Sequence, residues 1–200
     1  MAEYKLKTPL SEEDVRKLRA GDIVYVSGII VTARDAAHRR MLEYLSQGKE
    51  IPVDLNGGVI YHCGPVVRKT NSEWEVISAG PTTSARMELY EADVIEKLGV
   101  RMIIGKGGMG TKTAEACKKY GAVYTIFTGG AGALAANAIK RVVKVEWLDL
   151  GVPEALWVFE VEEFGPLLVA IDSTGRNLIA EVMENAFKKR DEILAKLGVK

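Results

Sequence analysis

The sequence contains little cysteine, and none of the patterns that cysteine chemistry requires. Cys63 and Cys117 are its two cysteines among 200 residues, far apart and without CxxC spacing. This favours a reducing compartment, which we expect to be the cytoplasm, over a disulfide-stabilised fold. Two thiolates are also fewer than the three or four that hold an iron–sulfur cluster. We therefore expect that this chain alone cannot build one.

The chain also lacks a net charge and long apolar runs. Lys plus Arg number 27, as do Asp plus Glu, so the overall charge gives no reason to expect nucleic acid or an anionic membrane as a partner. No uninterrupted apolar run approaches the length of a membrane span, and the start MAEYKLKTPL lacks the apolar stretch of a signal peptide. We expect neither a nucleic-acid partner nor a membrane partner.

The order of apolar runs and turn signals predicts an α/β fold. No repeat, linker or low-complexity stretch interrupts the chain, so we expect a single domain over residues 1–200. The predicted helices cover residues 11–18, 32–48, 86–99, 111–121, 132–140 and 179–197. The predicted strands cover residues 22–33, 72–80, 100–105, 122–130, 141–148, 157–164 and 166–174, with further short strands between residues 57 and 70.

Three glycine-containing loops are the main candidates for a functional site. GPTTSAR (80–86), GKGGMG (105–110) and TGGAG (128–132) each follow a predicted strand and precede a predicted helix. Between about residues 80 and 150 the chain alternates helix and strand, as a parallel α/β unit does. Loops at the carboxyl ends of parallel strands meet at one edge of the sheet. We therefore expect these loops to lie together.

The motif RDAAH places Arg34 and His38 four residues apart, on one face of a predicted helix. Functionally, this pair combines a cation for a carboxylate with a group that exchanges protons near neutral pH. The structural alternative is a surface arginine beside a partly buried histidine. The pair alone does not decide between them.

The loop GPTTSAR has the features of an anion-binding site. It offers the hydroxyls of Thr82, Thr83 and Ser84 and free backbone N–H groups at a helix start, which suits a carboxylate or a phosphate. Arg86 adds a planar guanidinium whose geometry matches a carboxylate. The alternative is ordinary helix capping by Thr or Ser with a solvated Arg86.

The loop GKGGMGTKT almost matches the phosphate-binding P-loop GxxxxGK[ST]. Gly105 and Gly110 have the required separation, but Thr111 stands before Lys112 and displaces the lysine by one residue. Lys106 is still a cation on a glycine-rich loop. The formal GxGxxA pattern at 130–135 lacks the expected acidic residue in a suitable place, so small-residue packing is the better interpretation.

Considered together, these motifs resemble a known family. RDAAHRR, YHCGP, GPTTSARM, IGKGGMG, GGAGALAA, LGVPEALWVFEVEEFGP and IDSTGRNL occur in this order over nearly the whole chain. The sequence is similar to the β subunit of the class I iron–sulfur hydro-lyases, fumarate hydratase and L-tartrate dehydratase. The same module forms the C-terminal domain of single-chain class I fumarases.

The resemblance implies a fold, a partner and a set of roles. The fold would be a three-layer β/β/α swivelling domain. An α subunit, expected in an α2β2 assembly, would carry a [4Fe-4S] cluster on three cysteine thiolates. The implied substrate is a C4 dicarboxylate, with reversible hydration of fumarate to (S)-malate as the main hypothesis and dehydration of L-tartrate as the alternative. Non-catalytic assembly and nucleotide binding are more remote alternatives.

The resemblance also assigns roles to residues. Arg34, Thr83, Arg86 and Lys106 would bind substrate carboxylates. Thr82 and His38 would share the acid/base assignment, because a threonine hydroxyl is a very weak acid and needs assistance from nearby groups.

Overall fold

The protein is a mixed α/β structure, described for residues 1–71 and 73–198 by a computed structural model. The strands are β1 (Glu3–Lys7), β2 (Ile23–Thr32), β3 (Val59–Tyr61), β4 (Val66–Thr70), β5 (Glu73–Ser78), β6 (Met102–Gly105), β7 (Val123–Ile126), β8 (Ile139–Glu146) and β9 (Leu156–Ile171). The α-helices are α1 (Glu12–Lys17), α2 (Asp35–Ser46), α3 (Glu91–Leu98), α4 (Thr111–Tyr120), α5 (Gly132–Ala138) and α6 (Leu178–Lys196). Short 3₁₀ helices cover Ser84–Leu89 and Leu148–Leu150. Ser72, where one predicted strand begins, lies outside the described residues.

The main sheet has the strand order β1-β2-β3-β6-β7-β9-β8. Its first five strands are parallel to their neighbours, whereas β9 runs antiparallel to β7, β8 and β2. Because β9 pairs with both β7 and β2, the strands β2, β3, β6, β7 and β9 form a closed circuit of pairing. The parallel α/β unit predicted over about residues 80–150 is confirmed for β6 and β7, which α4 connects, whereas β8 in the same range pairs antiparallel with β9.

The central parallel strands β3, β6 and β7 bury both of their faces. Along β6, Met102 and Ile104 contact one hydrophobic core, whereas Ile103 points into the other. This alternation follows from the two-residue period of a strand. The first core contains Tyr61 and the β9 aromatics Trp157, Phe159 and Phe164, and the second lies against helices α2, α3 and α4. Parallel strands covered on both faces are rigid supports for the loops at their ends.

Local sequence signals explain several element boundaries. Ser11 and Asp14 form the reciprocal capping box at the start of α1, as predicted. Gly99 and Gly121 adopt left-handed backbone conformations with φ of 68° and 69° at the ends of α3 and α4. Glycine is favoured there because a Cβ is strained at positive φ. Among the described residues, no helix combines the length and apolarity needed to cross a membrane.

Several predicted boundaries are wrong, and β1 has no counterpart among the predicted strands. The helix predicted from residue 32 begins at Asp35, because Thr32 is the last residue of β2 and pairs with β3. The helix predicted over 86–99 is a 3₁₀ helix followed by α3, interrupted at Tyr90. The strands predicted at 157–164 and 166–174 are one strand, β9, which runs through Pro166. The register of β2 shifts opposite this proline, and such irregularities accommodate a residue without an N–H.

Candidate active site

The predicted loops meet at the carboxyl edge of the parallel strands. The backbone N–H of Ser84 donates to the carbonyl of Lys106 at 3.0 Å, and that of Lys106 donates to the carbonyl of Thr82 at 3.3 Å. The N–H of Thr82 donates in turn to the carbonyl of His62, directly after β3, at 2.6 Å. GPTTSAR is therefore held by backbone bonds between the ends of β3 and β6.

The third loop approaches the same edge. The backbone N–H of Ala79 donates to the carbonyl of Gly132 at 3.0 Å, and a Cβ placed on Gly129 would lie 3.6 Å from Cδ of Lys106. Gly105 must be a glycine at this crossing, since a Cβ there would overlap the Ser84 hydroxyl. The expectation that the three loops lie together is confirmed.

Arg34 lies at the start of α2 and has an acidic neighbour that the sequence did not reveal. Its Nε is 3.3 Å from Oε1 of Glu154, while the other oxygen of Glu154 accepts from the N–H of Ala36 at 2.8 Å. The Arg34 side chain is 24% exposed. A Cβ on Gly64 would lie 2.5 Å from Nη1 of Arg34, so this glycine leaves room for the guanidinium.

Arg86 grips a carboxylate with two parallel hydrogen bonds, and that carboxylate belongs to Asp35. Nε donates to Oδ1 at 3.0 Å and Nη2 donates to Oδ2 at 2.9 Å. Both side chains are roughly half exposed. The two-point geometry expected of Arg86 is therefore present within the chain itself, and it joins the GPTTSAR loop to the start of α2, next to Arg34.

The hydroxyl-bearing residues of GPTTSAR lie in different environments. Ser84 is buried, Thr82 is partly buried and Thr83 is exposed. Thr83 occupies the position before the 3₁₀ helix but makes no side-chain cap. Within residues 1–71 and 73–198, neither the Thr82 nor the Thr83 hydroxyl has a hydrogen-bond partner. Ordinary capping by these threonines is thus not what the structure displays.

The two lysines of GKGGMGTKT lie in different places. Lys106 is partly buried at the loop edge, and no acidic side chain in the described part of the chain pairs with it. Lys112 is exposed and lines a shallow depression between α3 and α4, beside Asp93 and Glu96. Of these two lysines, Lys106 is therefore the one that a ligand at this edge can reach.

The start of α4, where a P-loop would bind phosphate, is occupied by Glu88. One carboxylate oxygen accepts from the N–H of Gly110 at 2.6 Å and from the hydroxyl of Thr113 at 2.7 Å. The other accepts from the N–H groups of Lys112 and Thr113 at 3.1 and 3.3 Å. An anion bound there would have to displace this carboxylate. The geometry thus opposes the nucleotide-binding alternative.

His38 is completely buried in a cluster with His62 and Glu91. Its Nε2 lies 3.3 Å from Oε2 of Glu91, and Nε2 of His62 lies 2.9 Å from the same oxygen. On its other side, His38 Nδ1 is 2.8 Å from the carbonyl of Arg34, and His62 Nδ1 is 2.9 Å from the hydroxyl of Ser84. The cluster connects the Arg34 segment to GPTTSAR.

The cluster strongly perturbs its own protonation equilibria. Burial disfavours the charged form of Glu91, but His62 and His38 oppose this and lower its pKa to about 2. Burial also disfavours a charge on His38, yet the Glu91 carboxylate outweighs it and raises the pKa of His38. The pKa of His62 is lowered, because burial dominates there. These directions favour an ionised Glu91, a protonated His38 and a neutral His62.

The thiols of this chain do not fit an iron–sulfur cluster. Cys63 and Cys117 are free and fully buried, and they lie in different hydrophobic cores. Burial raises the pKa of both thiols, which disfavours the thiolate that binds a metal. The described residues therefore offer no thiolate ligand set for such a group.

A larger groove, of about 640 Å³, lies away from this edge. It runs between β5 and β8, is lined partly by Trp74 and Val76, and contains none of the predicted site residues. The groove volume and the chemistry of the side chains therefore indicate different candidate sites. We assign the site by chemistry, because the cations, hydroxyls and perturbed titratable groups converge at the loop edge.

Comparison with known proteins agrees with the order of motifs along the chain. The family model described as Fumarase C-terminus matches residues 1–182. The chain belongs to this family. Its relatives include proteins of matching length and a much longer protein of which it covers about a third.

The relatives carry two kinds of name. The chain is 47% identical to the L(+)-tartrate dehydratase subunit beta of Escherichia coli (strain K12), over 96% of this chain and 94% of the relative. It is 46% identical to a Methanocaldococcus jannaschii protein named "Putative L(+)-tartrate dehydratase subunit beta", over 92% and 95% of the two chains. It is 44% identical to a Geobacillus stearothermophilus protein named "Putative fumarate hydratase class I", over 92% of this chain but 35% of the relative.

Proposed function

We propose that this protein is the β subunit of a hydro-lyase that acts on a C4 dicarboxylate. The observation that carries the proposal is the convergence of Arg34, Arg86, Lys106 and Thr82 at the carboxyl edge of parallel strands. Binding a dicarboxylate requires a cation at each end of the substrate. The reaction also requires a group that adds or removes a proton at a carbon atom between the two carboxylates. Membership of the fumarase C-terminus family, with relatives named after two such enzymes, supports the same reaction class.

The cations hold the carboxylates of the substrate. Arg86 has a planar guanidinium that can donate two hydrogen bonds to one carboxylate, as it does to Asp35. When substrate binds, a substrate carboxylate replaces Asp35 or binds Arg86 together with it. Lys106 contributes a point charge without giving up an internal ion pair. Arg34 lies beside them at the start of α2, and Thr83 adds an exposed hydroxyl.

The proton beside one carboxylate is moved by Thr82. In the hydration direction, a hydroxyl group adds to one alkene carbon and a proton adds to the other; dehydration reverses both changes. Thr82 is partly buried, and its carbonyl accepts from the backbone N–H of Lys106. A lysine ammonium directed towards the Thr82 hydroxyl would favour its anionic form. His38 is fully buried with both ring nitrogens near protein oxygens, so we assign it a positioning role instead of direct contact with substrate.

The leaving hydroxyl is activated by a group that this chain does not supply. The resemblance implies a [4Fe-4S] cluster, whose open iron would act as a Lewis acid, on a partner α subunit. Two buried thiols in separate cores support its assignment to the partner. We further propose an α2β2 assembly in the cytoplasm, in which this chain forms one three-layer β/β/α domain.

Fumarate hydration is the first candidate reaction, and L(+)-tartrate dehydration is the second. Identity to the relatives named after the two enzymes is nearly equal, at 44% and 47%. The second candidate is favoured by the matching length of the separate β subunit. The substrates differ by one hydroxyl, so both reactions use the same carboxylate grip.

Reconstitution tests the proposal. The isolated chain should be colourless and inactive, and addition of the cluster-bearing partner under anaerobic conditions should produce activity that oxygen destroys. Fumarate, malate and L-tartrate are assayed in parallel, which ranks the two reactions. Stoichiometric iron–sulfur binding by this chain alone, or hydration of fumarate without a partner, would contradict the proposal.

A further inference from the structure

The buried cluster of His38, Glu91 and His62 joins two parts of the proposed site. Starting at the Arg34 carbonyl, the contacts run through His38, Glu91 and His62 to the Ser84 hydroxyl. All three cluster side chains have no exposed surface. The cluster therefore does not contact solvent, and it spans from the start of α2, through the start of α3, to the GPTTSAR loop.

The geometry assigns the protons. The Arg34 carbonyl can only accept, so Nδ1 of His38 must carry a hydrogen to make its 2.8 Å contact. If Nε2 carried none, its lone pair would face a carboxylate oxygen 3.3 Å away, which is repulsive. A second proton on Nε2 makes this contact attractive, although it is not a well-aligned hydrogen bond. This geometry favours an imidazolium at His38.

His62 needs only one proton. Its Nε2–H donates to Glu91 at 2.9 Å, and its Nδ1 accepts from the Ser84 hydroxyl at 2.9 Å. With Glu91 ionised, the cluster has one negative and one positive charge and is neutral overall. This balance matters because an unpaired buried charge is strongly destabilising. Asp35 adds a further negative charge that favours the imidazolium.

We propose that Glu91 is a positioning residue whose ionised carboxylate, shared by an imidazolium at His38 and a neutral His62, fixes the Arg34 segment relative to the GPTTSAR loop. Glu91 is the first residue of α3, so the helix start also favours its negative charge. The bridge sets the separation between two of the cations that are proposed to bind substrate. Only this last step rests on the proposed function.

Three ligand atoms in so small a space would also suit a divalent metal ion. The atoms lie within 4.8 Å of one another, and two histidines with one glutamate are a plausible zinc set. His62 Nε2 and Glu91 Oε2 are 2.9 Å apart, which is the distance of a direct hydrogen bond. This favours a proton, and not a metal ion, between the two side chains. Zinc binding is therefore the outcome that would overturn the proton assignment.

Nuclear magnetic resonance of the full chain tests the assignment without any activity. The chain contains two histidines, so ¹⁵N-histidine labelling gives two imidazole spectra. At about pH 8, above the ordinary histidine pKa of about 6.5, we expect one doubly protonated ring and one neutral ring. Glu91→Gln should abolish the imidazolium signal. The matched control Asp93→Asn, which alters a partly exposed carboxylate in the same first turn, should preserve it.

Two results would overturn the proton bridge. One is a spectrum in which both rings of the unmodified chain are neutral at pH 8. The other is a stoichiometric shift of both rings on addition of Zn²⁺ alone, which would make the cluster a metal site. If Glu91→Gln does not fold, the spectrum of the unmodified chain with and without Zn²⁺ still decides between these results.

The positioning role is tested in the reconstituted complex. Ser84→Ala removes the hydrogen bond between Ser84 and His62 but leaves the His38–Glu91 pair intact. The imidazolium signal should therefore persist. The value of kcat/KM should fall, by up to about 100-fold if the loop shifts by about 1 Å. Normal kcat/KM in Ser84→Ala would contradict the positioning role. Failure of the proposed function is recognised separately, because the unmodified complex would then be inactive with every C4 acid while the histidine spectra would be unaffected.

Discussion

The Arg86–Asp35 pair offers the sharpest test of the proposed site, because its two roles have different magnitudes. Both side chains are roughly half exposed, so the pair contributes at most about 1 kcal/mol to stability. A hydrogen bond from Arg86 to a substrate carboxylate is worth about 1.5–3 kcal/mol, or roughly 10- to 150-fold in rate. Activity should therefore respond to substitution much more strongly than folding does.

We expect Arg86→Lys to lower kcat/KM of the assembled enzyme nearly as much as Arg86→Ala. Lysine keeps the charge but loses the planar, two-point grip. The free energy of unfolding in urea should change by no more than about 1 kcal/mol in either variant. Steady-state kinetics and urea unfolding of the same preparations provide the two measurements.

Two control variants separate substrate binding from loop positioning. Arg40→Lys alters the other bidentate arginine pair of α2, the helix that carries Asp35, and should leave activity near normal because its partner Asp149 lies outside the proposed site. Asp35→Asn breaks the Arg86 pair but preserves the guanidinium, so it should retain most of the activity. If Asp35→Asn were as damaging as Arg86→Lys, Arg86 would act by holding α2 in place, and its assignment as a substrate ligand would be refuted.

Four further results are expected. Lys106→Ala should lower kcat/KM to a small fraction of its normal value, whereas Lys112→Ala should leave kcat/KM unchanged. Binding of ATP by the unmodified chain that is lost in Lys112→Ala would reverse this ranking. Glu88→Gln should destabilise the chain by about 2 kcal/mol in urea unfolding, because an amide cannot accept all four hydrogen bonds at the start of α4. Thr82→Val should lower kcat with little change in KM, and normal turnover would reject Thr82 as the proton-transfer group. Since folding lowers the pKa of Glu91 from about 4.5 to about 2, its contribution to stability should be fully present above pH 4.5 and lost as pH falls towards 2, measured by unfolding across that range.

Much of the fold was predictable because its signals are local. The capping box at Ser11, the glycine stops at Gly99 and Gly121, and the apolar strand at 102–105 each depend on neighbouring residues alone. The continuity of β9 was not predictable in this way. Gly165 and Pro166 indicate a turn locally, but the shift in register of β2 accommodates them inside one long strand.

The site was predictable to a different extent. The meeting of its loops follows from parallel topology, so Thr82, Arg86 and Lys106 could be grouped before their contacts were known. Glu88 and Glu91 could not be assigned, because an acidic residue near a helix start is usually solvated. What makes each of them special is a contact with a residue distant in sequence, at the start of α4 or in a buried histidine pair. His62 lay in the quoted motif YHCGP, but no spacing rule links it to Glu91.

Carboxylates of the protein itself already occupy several of the groups at this edge that could bind an anion. Glu154 accepts from the start of α2, Glu88 fills the start of α4, and Asp35 engages Arg86. A substrate carboxylate must therefore compete with internal carboxylates at these three positions. Among the described residues, Lys106 has no acidic partner to give up, so its contact with substrate requires no internal ion pair to break. The first carboxylate of an incoming dicarboxylate should consequently bind at Lys106, and exchange at Arg86 should follow once the second carboxylate is held nearby.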